Sequence, residues 1–303
     1  MSTYDPAALE CLAAIVEEGG FERAAQRLNV TQSAVSQRLR ALEAQVGSVL
    51  IVRSRPLRPT SAGHLLLKHT KQMRLLRADL ERDLQELAPS AHGGGREDER
   101  ISIAINADSI ATWALDALHD LVRQRLPLEI IVDDQDFTQE WLRSGQVLGC
   151  VTTLKQALRG CKMVPLGAMH YVAVASAAYA EKHLPGGLTA HNFREVSYLS
   201  FNRKDDMAVE FVARAFGLKR VALNHLFVPS SEGQLHAVKA GWAVGVLPEL
   251  LVRAGLTDGS LVDMAPGRVL PIQLYWHCWN LESEVLDSLT QALTEAAERT
   301  LEA

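Results

Sequence analysis

The sequence predicts an α/β multidomain chain: a small helical front module with a β wing, a long connecting helix, and then two α/β lobes around a cleft. Three observations predict it. Residues 20–47 read as two short helices around a tight turn with a basic outer face. Residues 61–88 carry apolar side chains every three or four positions, and from Ile101 strand-like and helix-like segments alternate. At 303 residues, 48% of them apolar, the chain has material for two or three cores.

Residues 5–18 form a first helix, with Asp5 as N-cap, Pro6 at its first position and Leu9, Leu12, Ala13 and Val16 on its core face. Phe21, Ala24, Ala25 and Leu28 then fall at i, i+3, i+4 and i+7 of a helix ending at Asn29-Val30, where Asn tolerates left-handed backbone. Thr31 caps the next helix, which buries Ala34, Val35, Leu39, Leu42 and Val46 and stops at Gly47. Its other face shows Gln32, Ser33, Ser36, Gln37, Arg38 and Arg40, groups that hydrogen-bond base edges and phosphates on a helix sized for a major groove.

An ordinary helical hairpin with a polar outside fits the same pattern, and charge separates the two. From Arg23 to Lys68 eight basic residues stand against one acid, Glu43. The whole chain is −5, yet residues 1–88 are +2 and the remainder −7, so any DNA contact is expected at the front. Residues 49–52 read as a strand and 53–59 as a loop bearing Arg53, Arg55 and Arg58, a wing placed to grip flanking backbone. The front is therefore expected to be a winged helix-turn-helix.

Thr60 caps a helix running to about Leu87, ~40 Å at the standard rise. Its stripe is Leu66, His69, Met73, Leu76, Leu80, Leu84 and Leu87, and the simplest partner for such a stripe is its own copy in a second subunit. Packing on the same chain is the alternative. Residues 89–100, PSAHGGGREDER, read as a flexible hinge. Residues 92–95 match the HGGG of esterases only superficially, because no G-x-S-x-G elbow follows.

The rest reads as strand 101–106, helix 109–126, strand 128–134, helix 138–145 and strand 147–153, then, after Val164-Pro165, strand 170–176 and helix 177–184. Strand 196–201, helix 205–216, strand 223–229, helix 231–241 and strand 242–248 follow, with strand 272–276 and helix 282–301 closing the chain. This order implies a mostly parallel sheet with helices on its faces. The expected division is a DNA-binding domain over 1–60, a linker helix over 61–88, the hinge, and a ligand domain over 101–303. Within that domain lobe I spans about 101–167 and 271–303, and lobe II about 168–270.

Ligands of such folds bind at the carboxyl ends of strands, which here place Asn106, Asp108, Ser109, Asp133, Asp134, Thr152, Asp206, Ser231 and Glu232 at the cleft. Ser109 is expected to open a helix whose free N–H groups suit a carboxylate, and the acids suit an ammonium or guanidinium. Helix capping is the competing use for Asp108, Asp205 and Ser231.

The start of the chain lacks a basic segment followed by an apolar core, and no apolar run is long enough for a membrane span, so a soluble cytoplasmic protein with no membrane partner is expected. Cys11, Cys150, Cys161 and Cys278 are widely spaced, which suits structural thiols better than a metal site. His170, His236 and His277 are acid–base candidates for a different reading, an α/β enzyme. No phosphate-binding Gly loop, nucleophile elbow or metal triad accompanies them. A receptor whose front helices only dimerise is a third reading, which the basic face disfavours.

Residues 5–88 resemble the winged helix-turn-helix and linker helix of LysR-type transcriptional regulators, AAQRLNVTQSAVSQRLRALE being close to that family's most recognisable motif. The remainder resembles their two-lobed, periplasmic-binding-protein-like α/β effector domain. GFERAAQRL, TQSAVSQR, NADSIATW, DDM, SSE and LYWH resemble its ArgP/LysG (IciA) subgroup. The resemblance implies a non-enzymatic activator of genes for export or metabolism of basic amino acids, with L-lysine or L-arginine as effector between the lobes and no cofactor. Double-stranded promoter DNA and RNA polymerase are its implied partners, and a homodimer through the linker helix, paired into a dimer of dimers, its implied assembly. DNA contacts then fall on Thr31, Gln32, Ser33, Ser36, Gln37 and Arg38 and on the wing's Arg53, Arg55 and Arg58, with Arg40 on the same polar face. Gly93-Gly94-Gly95 lengthen the linker relative to the family pattern.

Overall fold

The structure is a computed structural model that describes residues 4–87, 100–133 and 137–302. The chain divides into two compact units, one gathering the N-terminal helices with 140–148 and 281–285, the other most of the chain from Arg100 onward.

The first unit holds α1 (Pro6–Glu17), α2 (Phe21–Arg27), α3 (Gln32–Val46), β1 (Ile51–Val52), β2 (Arg58–Pro59) and α4 (Ser61–Leu87). Its boundaries follow local signals. Asp5 accepts the Ala7 N–H at 3.1 Å and Thr31 the Ala34 N–H at 3.2 Å. Asn29 takes φ 53° and Gly47 φ 74°, the left-handed backbone that ends each helix. Leu9, Leu12 and Ile15 of α1 share one core with Ala24, Val35, Leu39, Leu42, Leu50 and Leu67.

The wing strand is shorter than the expected 49–52. Ile51 pairs with Pro59 and Val52 with Arg58, and nothing more. The preceding groups are used otherwise: the Val49 carbonyl accepts from the Thr60 hydroxyl at 2.7 Å, and Leu50 N–H donates to Glu43 at 2.9 Å. The one acid of the basic stretch thus anchors the wing. A Cβ at Gly63 would lie 2.2 Å from the Leu50 carbonyl oxygen, so glycine is what lets α4 start this close to the wing.

Helix α4 has two apolar faces. Leu67, Thr70 and Leu75 are buried, Leu66 packs against the core, and Arg74 donates to Glu10 and Glu17 of α1. Met73, Leu76 and Leu80 of the expected stripe are exposed at 40%, 44% and 56%. The side chains of Leu84 and Leu87, and hinge residues 89–99 with Gly93, Gly94 and Gly95, lie outside the described residues.

The second unit begins with β3 (Ile101–Asn106) and α5 (Ala107–Ser109), continuing through a π-helical turn (Ile110–Ala114) into α6 (Leu115–Arg123). There follow β4 (Leu128–Asp133), α7 (Thr138–Arg143), whose later residues group with the first unit, and β5 (Gly149–Thr152). Next come β6 (Cys161–Ser176), α8 (Ala177–His183), β7 (Ser197–Ser200), α9 (Met207–Phe216), β8 (Asn224–Phe227) and α10 (Ser231–Lys239). Strand β9 (Gly245–Pro248), α11 (Glu249–Asp258), β10 (Leu261–Asp263), β11 (Leu270–Trp279) and α12 (Glu284–Thr300) complete it.

β3 is parallel to β4 and β5, and β7 to β8, as the βαβ order requires. The expectation of a mostly parallel sheet fails for the rest. β6 is a single 16-residue strand that runs antiparallel to β11, β9 and β10, so the lobe boundary set at 167/168 falls inside a strand. Pro165 concealed it, since proline interrupts ladders. Here Pro165 sits opposite Tyr275, where the register slips, and Gly167 at φ 115° follows, a bulge that accommodates both. α11 and β10 occupy a stretch the sequence left unassigned, because α11 buries only Val252 and Gly255 and so shows little periodicity. Trp276 and Trp279 of β11 and Leu286, Leu289 and Leu293 of α12 are fully buried. A second core of Val174, Leu199, Val238, Leu247 and Val252 lies around β7 and β9.

Candidate functional site

On α3, Thr31, Gln32, Ser33, Gln37 and Arg40 are exposed, and Ser36 and Arg38 half-buried. Thr31 is partly used, capping the helix and meeting the Ser33 hydroxyl at 3.0 Å. Arg38 differs from the outward pose expected of it: its Nη1 lies 3.9 Å from Cys11 Sγ, leaning onto α1. Burial pushes the Cys11 thiol up, with Arg38 opposing. Arg53, Arg55 and Arg58 are exposed on the wing, and Arg53 stacks over Phe21 at 5.5 Å, which steadies its position beside α2. The exposed faces of α3 and the wing thus carry amides, hydroxyls and guanidinium groups.

The second site lies in the second unit, where β3 runs into α5. Asn106 is 1% exposed and neither its Oδ1 nor its Nδ2 has a hydrogen-bond partner; the buried Ser109 hydroxyl has none either. Ser109 is the third residue of α5 rather than its opener, because the helix starts at Ala107. Asp108 accepts the Tyr171 hydroxyl at 2.6 Å and a hydrogen bond from Ser231, the first residue of α10. Burial pushes the Asp108 carboxyl above the usual carboxylate range, and these two hydrogen bonds oppose the shift.

Two pockets adjoin here. An inner one of about 40 Å³ is lined by Asn106, Asp108, Tyr171, Phe201 and Gln234 among others. An outer one of about 320 Å³ is lined by Thr153, Lys155, Asp206, Glu210 and Tyr275 among others. Asp205 and Met207 line both.

The structure therefore brings Asn106, Asp108, Ser109, Ser231 and Asp206 to one region and leaves Thr152, Asp133 and Glu232 outside it. Thr152 is buried and engages Gln139 at 2.9 Å. Asp133 ends the edge strand β4 and lines neither pocket. Glu232 is exposed on α10. Asp134 lies outside the described residues. Tyr171, Gln234, Lys155 and Glu210 were missed, since nothing local marks a strand tyrosine or a helix glutamine as cleft-facing.

His170, His236 and His277 are not brought together, and none lines either pocket. His170 lies 3.5 Å from Glu302, His236 is exposed, and His277 is buried with Nε2 2.8 Å from the Leu154 carbonyl. Burial lowers the His277 pKa. Cys11, Cys150 and Cys278 are buried free thiols, and Cys161 is half-buried. No described helix is long and apolar enough to cross a membrane.

A winged helix-turn-helix joined by a long helix to an α/β ligand domain defines a class, and the chain belongs to the LysR family of bacterial transcriptional regulators. Residues 6–64 match the bacterial regulatory helix-turn-helix protein model of the lysR family, and residues 94–301 the LysR substrate binding domain. Within the family it is 41% identical over 298 residues to the HTH-type transcriptional regulator ArgP of Pseudomonas aeruginosa, covering 98% of this chain and 97% of that one. It is 40% identical over 292 residues to the regulator LysG of Mycobacterium tuberculosis, covering 95% and 92%. Among solved structures it is similar to ArgP from Mycobacterium tuberculosis, with TM-score 0.84, 38% identity and full coverage of both chains. Full-length LysG from Corynebacterium glutamicum with bound effector Arg matches with TM-score 0.74 and 32% identity, over 99% of this chain and 100% of that one.

Proposed function

We propose that this regulator is controlled by a basic amino acid, L-arginine or L-lysine, held where β3, α5, β7 and α10 converge. The observation that carries the reading is the set of unpartnered buried groups on Asn106 and Ser109 beside the Asp108 carboxylate. Native interiors leave few polar groups unpaired, and such groups call for an occupant. An amide and a hydroxyl suit a ligand carboxylate, and Asp108, oriented by Tyr171 and Ser231, suits an α-ammonium. Asp108, Asp205, Asp206 and Glu210 face one Lys155 across the two pockets, a negative balance that matches a ligand of net charge +1. The similar corynebacterial LysG structure, which carries bound Arg, supports the same ligand class.

Promoter DNA is read by Gln32, Ser33 and Gln37, with Thr31, Ser36, Arg38 and Arg40 beside them, while Arg53, Arg55 and Arg58 grip the flanking phosphates. The cytoplasm is its compartment and RNA polymerase its partner. The division into 1–60, 61–88, 89–100 and 101–303 gives each role its own segment. Two copies pair through the exposed Met73, Leu76 and Leu80 of α4, and two dimers occupy a dyad-symmetric site.

Calorimetric titration of the full chain with the twenty amino acids tests the ligand; heat from arginine or lysine and none from glutamate is expected. Heat from neither basic amino acid at millimolar concentration defeats the reading. For the pairing, Met73→Asp with Leu80→Asp buries charge across the two-fold axis, at several kcal/mol per ion, and light scattering should report monomer. A variant that stays dimeric places the seam elsewhere.

A further inference from the structure

Asp205 lies between β7 and α9 and lines both pockets. Its carboxylate is fixed in one pose, accepting Phe201 N–H at 2.6 Å and Met207 N–H at 2.9 Å. Its neighbour Asp206 makes no capping bond and lines only the outer pocket, as does Glu210 one turn along α9. Capping α9 needs one oxygen at position 205, whereas here both carboxylate oxygens accept a backbone N–H, Oδ1 from Met207 and Oδ2 from Phe201. The carboxylate held in this way sets a negative charge at the junction, in a pocket it shares with Asn106, whose buried amide has no hydrogen-bond partner. Asp108 lines the same inner pocket, and the two carboxylates are close enough to repel, a contribution to Asp108 that adds to its burial.

We propose that Asp205 is the residue that selects a cationic side chain on the effector. This rests on the amino-acid reading of the cleft. The ligand carboxylate meets Asn106 and Ser109, its α-ammonium meets Asp108, and its side chain runs to the junction, where the immobile Asp205 carboxylate receives the lysine ammonium or the arginine guanidinium. One ligand with two cations then neutralises both carboxylates. A leucine-like side chain leaves Asp205 without a counter-charge, and an acidic one adds a third negative group. Asp206 and Glu210 lie further out, where solvent screens them.

The test is calorimetry on the full-length protein with L-lysine, L-arginine and L-norleucine, the last being lysine's length without its charge. Asp205→Asn keeps an oxygen for the Met207 N–H and removes the charge, at the loss of the acceptor for the Phe201 N–H. Its lysine and arginine affinities should fall by about thirty-fold or more, the loss typical of an unpaired buried charge. Norleucine should bind no worse than to wild type. Asp206→Asn, at an exposed lining residue, should lose less lysine affinity than Asp205→Asn, because exposed pairs contribute less. If Asp205→Asn lowers the ligand-free melting temperature, the ratio of lysine to norleucine affinity in Asp205→Ser decides, because general loss of folding leaves that ratio unchanged. Asp205→Asn within five-fold of wild type, or the large loss appearing in Asp206→Asn, overturns the assignment and leaves the amino-acid reading intact. A wild-type chain that takes neither basic amino acid overturns both.

Discussion

Two helix starts in this chain carry the same kinds of side chain and treat them in opposite ways. At the head of α3, Thr31, Gln32 and Ser33 stand in solvent, where water reaches the groups that the Thr31 cap and its contact with Ser33 leave over. At the head of α5, Asn106 and Ser109 are enclosed and unpaired. An exposed amide costs nothing while it waits, and it exchanges water for a base edge or phosphate when DNA arrives. A buried amide without a protein partner costs about 1–3 kcal/mol until a bound group in the pocket supplies the bond. The front surface can therefore be read without reference to folding, whereas the cleft holds a polar deficit that couples ligand to stability.

Asn106→Leu should break that coupling, with the largest effect of the four substitutions considered. Leucine has the same branched outline and no unsatisfied atoms, so the ligand-free melting temperature should rise, by the equivalent of about 1 kcal/mol. Arginine and lysine affinity should collapse, by about thirty-fold or more, as the ligand carboxylate loses its donor. A variant that melts lower than wild type and still binds arginine would mean Asn106 is not in deficit.

On α3 the expected pattern is the reverse, with binding lost and stability untouched. Gln37→Ala should lose about 1–3 kcal/mol of specific DNA binding, with little change in non-specific affinity. Arg55→Ala should weaken specific and non-specific DNA alike and reduce the salt slope by about one. Both melting temperatures should stay within the equivalent of about 0.5 kcal/mol of wild type. Gel-shift titrations at two salt concentrations and thermal denaturation read these quantities, and a destabilised Gln37→Ala would undo the contrast.

The smallest effect is in pH. The folded-state pKa of Asp108 is raised, so the native chain holds this proton to higher pH than the unfolded chain does. Stability from this group is therefore greatest at acid pH and declines as pH rises from the ordinary value of 3.8 through the raised one. Ligand binding runs the other way, since an ammonium needs the ionised carboxylate, and lysine affinity should rise across the same window and then level. Asp108→Asn should flatten the stability slope; an unchanged slope assigns it to another group.

Local signals determined much of this protein from sequence alone. Caps and stops at Asp5, Asn29, Thr31, Gly47 and Thr60 act within four residues of themselves, so the front helices were legible with their faces. Strand ends named Asn106, Asp108, Ser109 and Ser231 as cleft residues, because a βαβ order fixes where strands finish. Only the tertiary structure decided that Tyr171 meets Asp108 across 63 positions, that β6 runs unbroken past Pro165, and that Arg38 leans on Cys11. It also decided which of two adjacent aspartates reaches both pockets and which face of α4 stays exposed. Those are outcomes of register and packing between distant segments. A one-residue shift there exchanges inside for outside, and no short-range rule records it.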